Sequence, residues 1–403
     1  MRIRLKQIKV QTNDFKLSKF LVLVMAVASG VTVANLYYIQ PLLVDIADTF
    51  HVTQVSVGFV AMLTQIGYAL GMLFILPLAD IKEKRFLIIT MLICSACALM
   101  LVFFSGSITV ISIASFVVGF TSVVPQLIVP FAAQLANPKE RGKIIGTVMS
   151  GLLIGILVSR TFSGFVGEYW GWRMVYLIAA ALMIVLAIFL SRILPLCPPT
   201  SSIKYKELFK SMVNLTKSLP VLREASLNGA LMFAAFSAFW TTLVFLLESS
   251  HYNMGSDAAG LFGLVGVTGA TAAPFVGRIA DERSPRFTIG IAMISVILSY
   301  LCFFVFGFKL WGLIIGVILL DFGVQSCQIS NQARVHALNN EARNRINTVY
   351  MVSYFIGGAL GSYLGSFSYA HFKWYGVCVL GLLTQLIAVV IHRSYKAKTL
   401  TSK

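Results

Sequence analysis

The sequence predicts an all-α integral membrane protein with about twelve transmembrane helices in two related halves. Three observations carry this prediction. Apolar residues make up 58% of the 403-residue chain and charged residues only 12%, whereas a soluble domain is usually about 25% charged. The apolar residues fall in long unbroken runs, not in the short alternating strands of a membrane barrel. Two loops also recur in the second half of the chain at a nearly constant offset: Asp281 follows Asp80 at 281 − 80 = 201 residues, and Arg343 follows Arg141 at 343 − 141 = 202. So little charge excludes an ordinary soluble enzyme, a disordered chain and a nucleic-acid binder, despite the net charge of +17.

A bilayer-crossing helix needs roughly 20 apolar residues. The runs place spans at about 20–41, 56–79, 86–104, 108–134, 144–166, 174–195, 224–247, 258–280, 287–307, 311–336, 347–370 and 374–392. The organisation read from them is a basic N-tail (1–19), a first six-helix bundle (20–195), a central linker (196–223), a second bundle (224–392) and a C-tail (393–403). The apolar run after the N-tail continues well past Ala26-Val27-Ala28, so it reads as an uncleaved first span and not a leader. Only the stretches 42–55 and 196–223 are long connections. The second holds Pro198-Pro199 and an amphipathic patch at Tyr205–Val213.

Lys and Arg collect on one side of this arrangement. Arg173, Lys309 and Lys373 fall on the other side and Arg160 inside a span; all the rest lie in the tails, the linker or the loops of one face. The positive-inside rule then makes both termini and the linker cytoplasmic. The +17 is this topological bias, available to lipid headgroups but not a nucleic-acid patch. The six cysteines fall in spans or on the inner side, so no disulfide is expected. Cys94 and Cys97 form a CxxC inside an apolar run and read as core residues. His51, His251, His336, His371 and His392 sit at span ends or in loops. With no HExxH, GxSxG or phosphate-loop pattern, the sequence offers no metal site, cofactor or enzyme chemistry. A gradient is left as the energy source.

The repeated loops are Pro77-Leu78-Ala79-Asp80-Ile81-Lys82-Glu83-Lys84-Arg85 and Gly277-Arg278-Ile279-Ala280-Asp281-Glu282-Arg283-Ser284-Pro285-Arg286. Parallel repeats of this kind place a solute site between the two halves. Asp80, Lys84, Arg85, Asp281, Arg283 and Arg286 are candidates for a latch across helix ends. The competing reading is simple topology, since any such loop would carry positive charge.

These loops resemble the signature of the major facilitator superfamily, roughly Gly-x-Leu-Ala-Asp-Arg-x-Gly-Arg-Arg, and the resemblance covers essentially the whole chain. The second copy keeps Gly277, Ala280, Asp281 and Arg286; the first keeps Leu78, Ala79, Asp80, Lys84 and Arg85, with Leu76, Ile81 and Glu83 as departures. Three further stretches resemble a bacterial inner-membrane branch of sugar- or drug-efflux permeases: Asn35–Leu43, Ser159–Gly164 and Asn347–Met351. The resemblance implies a functional monomer that rocks about a midplane site lined by the first, fourth, seventh and tenth spans. It implies proton-coupled export of a small organic solute from the cell. The alternative is uptake, for example of a nutrient or an iron-chelating siderophore.

A charge inside a bilayer is costly, so each one calls for a reason. Asp321 lies ten residues into its span from Trp311, about 15 Å deep and so at the midplane. Gln325 and Gln328 continue its face at helical spacing. Asp321 reads either as a proton- or substrate-coupling carboxylate or as a fixed structural partner. Arg160 sits deep in the fifth span. It reads either as the charge partner of a cavity carboxylate or anionic solute, or as an outer-gate residue pairing with Glu168 or Glu248. In the superfamily's antiporters this span is often rich in Gly and Pro. Here Gly151 and Gly155 survive, at a spacing that permits close helix approach.

The neutral candidates for solute contact are Asn35, Tyr38 and Gln40 in the first span, Gln126 in the fourth, and Phe233 and Trp240 in the seventh. Each has packing as its alternative role. Asp45 and Asp48, just past the first span, read as solvated.

Overall fold

The computed structural model describes residues 18–137, 140–196, 205–266, 268, 284–339 and 342–401. Every regular element among the described residues is helical. In the first half these are α1 (Lys19–Ala34), α2 (Leu43–Phe50), α3 (Gln54–Ile81), α4 (Lys84–Phe103), α5 (Ile108–Thr121), α6 (Val124–Leu135), α7 (Arg141–Trp170) and α8 (Trp172–Ile193). Helix α9 (Tyr205–Ser218) lies in the linker. The second half follows with α10 (Pro220–Leu247), α11 (256–266), α12 (Pro285–Phe306), α13 (Leu310–His336) and α14 (Arg343–Thr401). Asp281 and Arg283 lie outside the described residues, as does the side chain of Asp80.

Local chemistry sets the helix starts. Ser18, Thr53, Ser107 and Ser284 each turn a side-chain oxygen onto an early backbone N–H of α1, α3, α5 and α12, satisfying donors that the helix itself leaves unpaired. Proline occupies the first turn of α6, α10 and α12, where its missing N–H costs nothing. Gly171, at φ +82°, makes the tight reversal between α7 and α8. The amphipathic patch of the linker is α9, which buries Leu208 and Met212.

Three breaks refine the expected spans. The first span is helical only to Ala34; residues 35–42 continue as tight turns closed by three-residue backbone bonds such as Asn35 N–H to Thr32 and Gln40 N–H to Tyr37. Pro41 cannot supply the N–H that a continuing helix would need. The fourth span divides into α5 and α6 at Ser122–Val123, just before Pro125. The last two spans, given together above as α14, are two helices that meet at a sharp turn at Lys373, whose φ of 54° and ψ of −153° are not helical. The 42–55 connection is not a plain loop, because it contains α2.

Small residues let the helices approach closely. A Cβ on Gly30 would stand 2.5 Å from the Gly151 carbonyl oxygen, and Gly155 touches Gly30 in turn. Thus Gly151 and Gly155 of α7 are the contact with α1. Dispersion contacts and such backbone approach are what hold helices together where no water remains to be expelled.

Candidate functional site

Arg160 of α7 and Asp321 of α13 face each other from the two halves of the chain, near enough to feel each other's charge but without direct ion-pair contact. Both are completely buried, at 0% exposure. The Arg160 Nε–H donates to Gln40 Oε1 at 2.7 Å. Its guanidinium carbon lies 5.0 Å from the Tyr37 ring centroid, 5.4 Å from Phe236 and 4.0 Å from Trp240. The turns after α1 make this possible, because they carry Tyr37 and Gln40 inward to the same guanidinium. Burial of a cation on three aromatic faces replaces part of its lost hydration. Asp321 feels the charge of Arg160 and faces the Trp240 indole. Even so, both Asp321 oxygens, both terminal nitrogens of Arg160 and the Trp240 N–H lack a hydrogen-bond partner among the described residues.

Glycines on α11 make room for the pair. A Cβ on Gly263 would stand 3.1 Å from Arg160 Cβ, and one on Gly266 would stand 3.2 Å from Asp321 Oδ1. Gly260 lies against the Arg160 backbone, and its Cα would be 3.0 Å from a Cβ on Gly164. α7 and α11 therefore meet almost backbone to backbone.

The remaining candidates divide. Gln40 and Trp240 contact Arg160. Phe233 stacks on Tyr354 at 4.1 Å and joins an aromatic cluster with Phe236 and Phe355. Gln126 donates to the Tyr68 hydroxyl at 3.3 Å, and Tyr68 packs on Phe355. Gln328 accepts from the Tyr350 hydroxyl at 2.5 Å. Gln325 is half-buried on the same helix face as Asp321. Asn35 points elsewhere: its amide reaches Ser95, Ser122 and the Met183 sulfur inside the first bundle. Tyr38 packs on Phe162 with ring centroids 5.7 Å apart.

At the face opposite the basic loops the halves are in contact. Glu168, near the end of α7, accepts from the Ser256 backbone N–H and hydroxyl at 3.2 Å each, at the start of α11. A carboxylate at a helix N-terminus is favoured by the unpaired N–H groups there. Glu168 is thus bonded to α11 and not to Arg160. Asp45 is half-buried with one oxygen unpartnered, and only Asp48 is exposed. Burial together with Glu168 and Asp48 pushes the Asp45 carboxyl up to about 6. Burial together with Asp45, Asp48 and Glu168 pushes Glu248 up to about 8. Deeper in the same interface, Gln65 of α3 donates to Ser362 at 2.7 Å and accepts from Ser237.

At the basic face the repeat is visible in side-chain contacts. Arg85 bonds the Ser191 and Leu194 carbonyls at the end of α8, at 2.9 Å for Leu194. Arg286 bonds the His392 carbonyl in the last stretch of α14. The arginines are 286 − 85 = 201 residues apart, and so are Ser191 and His392, at 392 − 191 = 201. Lys84 donates to Gln134. Glu83, a departure from the signature, caps α4 by accepting from the Arg85 and Phe86 N–H groups. The second half adds Glu224, whose buried carboxylate meets Arg286 at 3.1 Å, Arg334 at 2.7 Å and His392 at 3.1 Å. Tyr37, Gln65, Phe236 and Glu224 are absent from the candidates read in the sequence.

The family model of the Major Facilitator Superfamily matches residues 25–362. A putative uncharacterized transporter of Escherichia coli, YgaY, is 39% identical over 378 residues, covering 94% of this chain and 96% of its own length. A probable transporter of Streptomyces coelicolor is 33% identical, covering 88% of this chain and 83% of its own. Among solved structures, a bacterial homolog of the lysosomal transporter Spinster, inward-facing and occupied, superposes with a TM-score of 0.74 at 15% identity, over 95% of this chain and 97% of that one. A D-xylose–proton symporter superposes with a TM-score of 0.71 at 15% identity, over 91% and 96%; at such identity the likeness shows the fold alone. With two related halves packed about a buried charged pair and the family matched across most of its length, this chain is a multi-pass membrane transporter and belongs to the Major Facilitator Superfamily.

Proposed function

We propose that the protein exports a small organic solute across a bacterial inner membrane in exchange for protons, by alternating access about the Arg160–Asp321 pair. The observation that carries this is the pair itself: two opposite charges from different halves, fully buried, with their polar ends unpartnered. Fixed structural ion pairs are normally satisfied by further hydrogen bonds. A pair left open instead suits ligands that come and go. A proton on Asp321 and a solute at the pair would then compete, which is the requirement for exchange.

In this reading residues 20–195 and 224–392 rock as two bodies, joined by the linker 196–223. The basic face and both tails, 1–19 and 393–403, are cytoplasmic. The closed contacts at Glu168–Ser256 and Gly164–Gly260, with half-exposed Gln126, Gln325 and Gln328 toward the basic side, support a conformation reached from the cytoplasm. Arg85 and Arg286 hold helix ends within each half and thereby keep each body rigid. Asp80, Lys84, Asp281 and Arg283 complete the two loops. Phe233, Gln126 and Gln328 line the approach to the pair, while Asn35 and Tyr38 support the first bundle from inside. A single chain suffices for the cycle.

Asp321→Asn, purified and reconstituted, is the test. It is expected to express and insert normally and to lose proton-driven solute movement. Full pH-driven transport by this variant would remove Asp321 from the coupling mechanism. The alternative direction, proton-coupled uptake, uses the same site and is distinguished by which sign of imposed pH gradient accumulates solute in vesicles.

A further inference from the structure

We propose that the solute is a zwitterion: a small amino-acid-like molecule whose carboxylate binds Arg160, whose ammonium binds Asp321, and whose side chain is apolar. This rests on the reading of the pair as the transport site. Gln40 takes only the Nε–H of Arg160, leaving the outer edge of the guanidinium, Nη1 and Nη2, unpartnered. That edge is the fork that receives a carboxylate through two parallel bonds. Asp321 presents two unpartnered acceptors, and an ammonium group brings three donors. The pair as a whole is neutral. A simple cation or anion would leave one net charge buried in a water-poor site, which is costly. A zwitterion matches both charges and leaves none over.

The walls indicate the rest of the molecule. Tyr37, Phe236 and Trp240 surround the guanidinium. Beside it Pro41, Leu243, Val244 and Ala259 form apolar walls that meet too closely here to admit a water molecule, so a solute enters between them only as the halves part. These walls suit an aliphatic or aromatic side chain and offer little to a hydroxylated sugar ring. Gly266 keeps the approach to Asp321 free of a Cβ that would stand 3.2 Å from its oxygen.

The test is a set of matched ligands on the purified full chain, read by the rise in melting temperature with concentration. Leucine and phenylalanine are compared with their decarboxylated amines, isoamylamine and phenethylamine, and with their deaminated acids, isocaproate and hydrocinnamate. At least one of the two amino acids is expected to stabilise the protein at a concentration about ten-fold or more below that of its amine and its acid, since leaving one buried charge unpaired costs more than a ten-fold change represents. Arg160→Gln is expected to bring the amino acid down to the level of the amine, and Asp321→Asn down to that of the acid. No stabilisation by either amino acid, or equal stabilisation by a singly charged analogue, overturns the proposal. The two readings fail separately. Were Asp321→Asn to abolish proton-driven movement of a sugar or cationic drug while neither amino acid bound, the coupling role would stand and the zwitterion would fall. Were the amino acids to bind the wild type ten-fold better than their analogues, with both variants behaving as expected, but with no dependence on pH between about 6 and about 8, the zwitterion would stand and the coupling role would fall.

Discussion

The guanidinium of Arg160 lies 4.0 Å from the centroid of the Trp240 ring, so an arginine of the first half rests on an aromatic of the second. This contact crosses the interface between the two halves, which the proposed alternating-access cycle would open and close. A desolvated cation–π contact is worth about 2 kcal/mol. Trp240→Ala is therefore expected to lower the melting temperature clearly, and Trp240→Phe to lower it less, because the ring remains. An alanine variant that melts with the wild type would show that the contact does not hold the halves together.

Protonation should stabilise the closed face opposite the basic loops. The Asp45 and Glu248 carboxyls stand at about 6 and about 8, both raised above the usual carboxylate range. A carboxyl raised in the fold prefers its neutral form there, so the unfolded chain loses its proton first as pH rises. Stability from this cluster is present at low pH and declines as pH climbs from the usual carboxylate range through about 6 for Asp45 and about 8 for Glu248. Melting curves across that window should fall with pH, and Glu248→Gln should flatten the upper part. A rise with pH over that part, or an unchanged slope in the variant, would contradict the assignment.

Glycine substitutions should separate packing from gating. Gly290 faces open space, and alanine is favoured over glycine in a helix by up to about 1 kcal/mol. Gly290→Ala should be neutral or slightly stabilising. Gly164→Ala puts a methyl group 3.0 Å from the Gly260 Cα, too close for the present contact. It should loosen the closed face opposite the basic loops, seen as faster labelling of a cysteine placed at position 256. Labelling at the unaltered rate would mean that α7 and α11 can separate without cost.

Removing Glu224 leaves Arg286 and Arg334 facing each other without their carboxylate. Breaking a buried pair costs on the order of 3–5 kcal/mol, and the lower end applies here because Arg286 reaches solvent. Glu224→Gln should thus destabilise the second half strongly, while Arg85→Ala, which removes two bonds to helix-end carbonyls and leaves no buried charge unpaired, should cost less, about 1 kcal/mol. Comparable losses for the two variants would show that the two ends of the repeat carry equal weight.

The fold was legible because hydropathy, charge sidedness and the offset near 200 are each long-range regularities of the sequence. Arg160 and Asp321 were legible for a related reason: a charge in an apolar run stands out by its cost. The rest of the site depends on where helices break. Asn35 and Tyr38 stand three residues apart, so in an unbroken helix they would share one face. The turns that begin at Asn35 send its amide into the first bundle and give the guanidinium to Tyr37 and Gln40 instead. Gln65 is a lone amide with no periodic partner, so only the meeting of α3 with α14 gives it a role. Glu224 sits at a span end beside a basic loop, where a carboxylate looks like ordinary surface. Its three partners come from residues 286, 334 and 392. Asp45 looked solvated because the segment after the first span reads as a loop; α2 and the second half cover it.

The most direct test of the central claim is the stabilisation of wild-type and Asp321→Asn protein by one bound solute at about pH 6 and about pH 8, read as a melting shift. The solute would be found by screening amino acids, sugars, cationic drugs and iron chelators. Competition between proton and solute at Asp321 predicts a larger shift at the higher pH in the wild type and no pH dependence in the variant. A wild-type shift indifferent to pH, or a pH dependence that survives in Asp321→Asn, would contradict it.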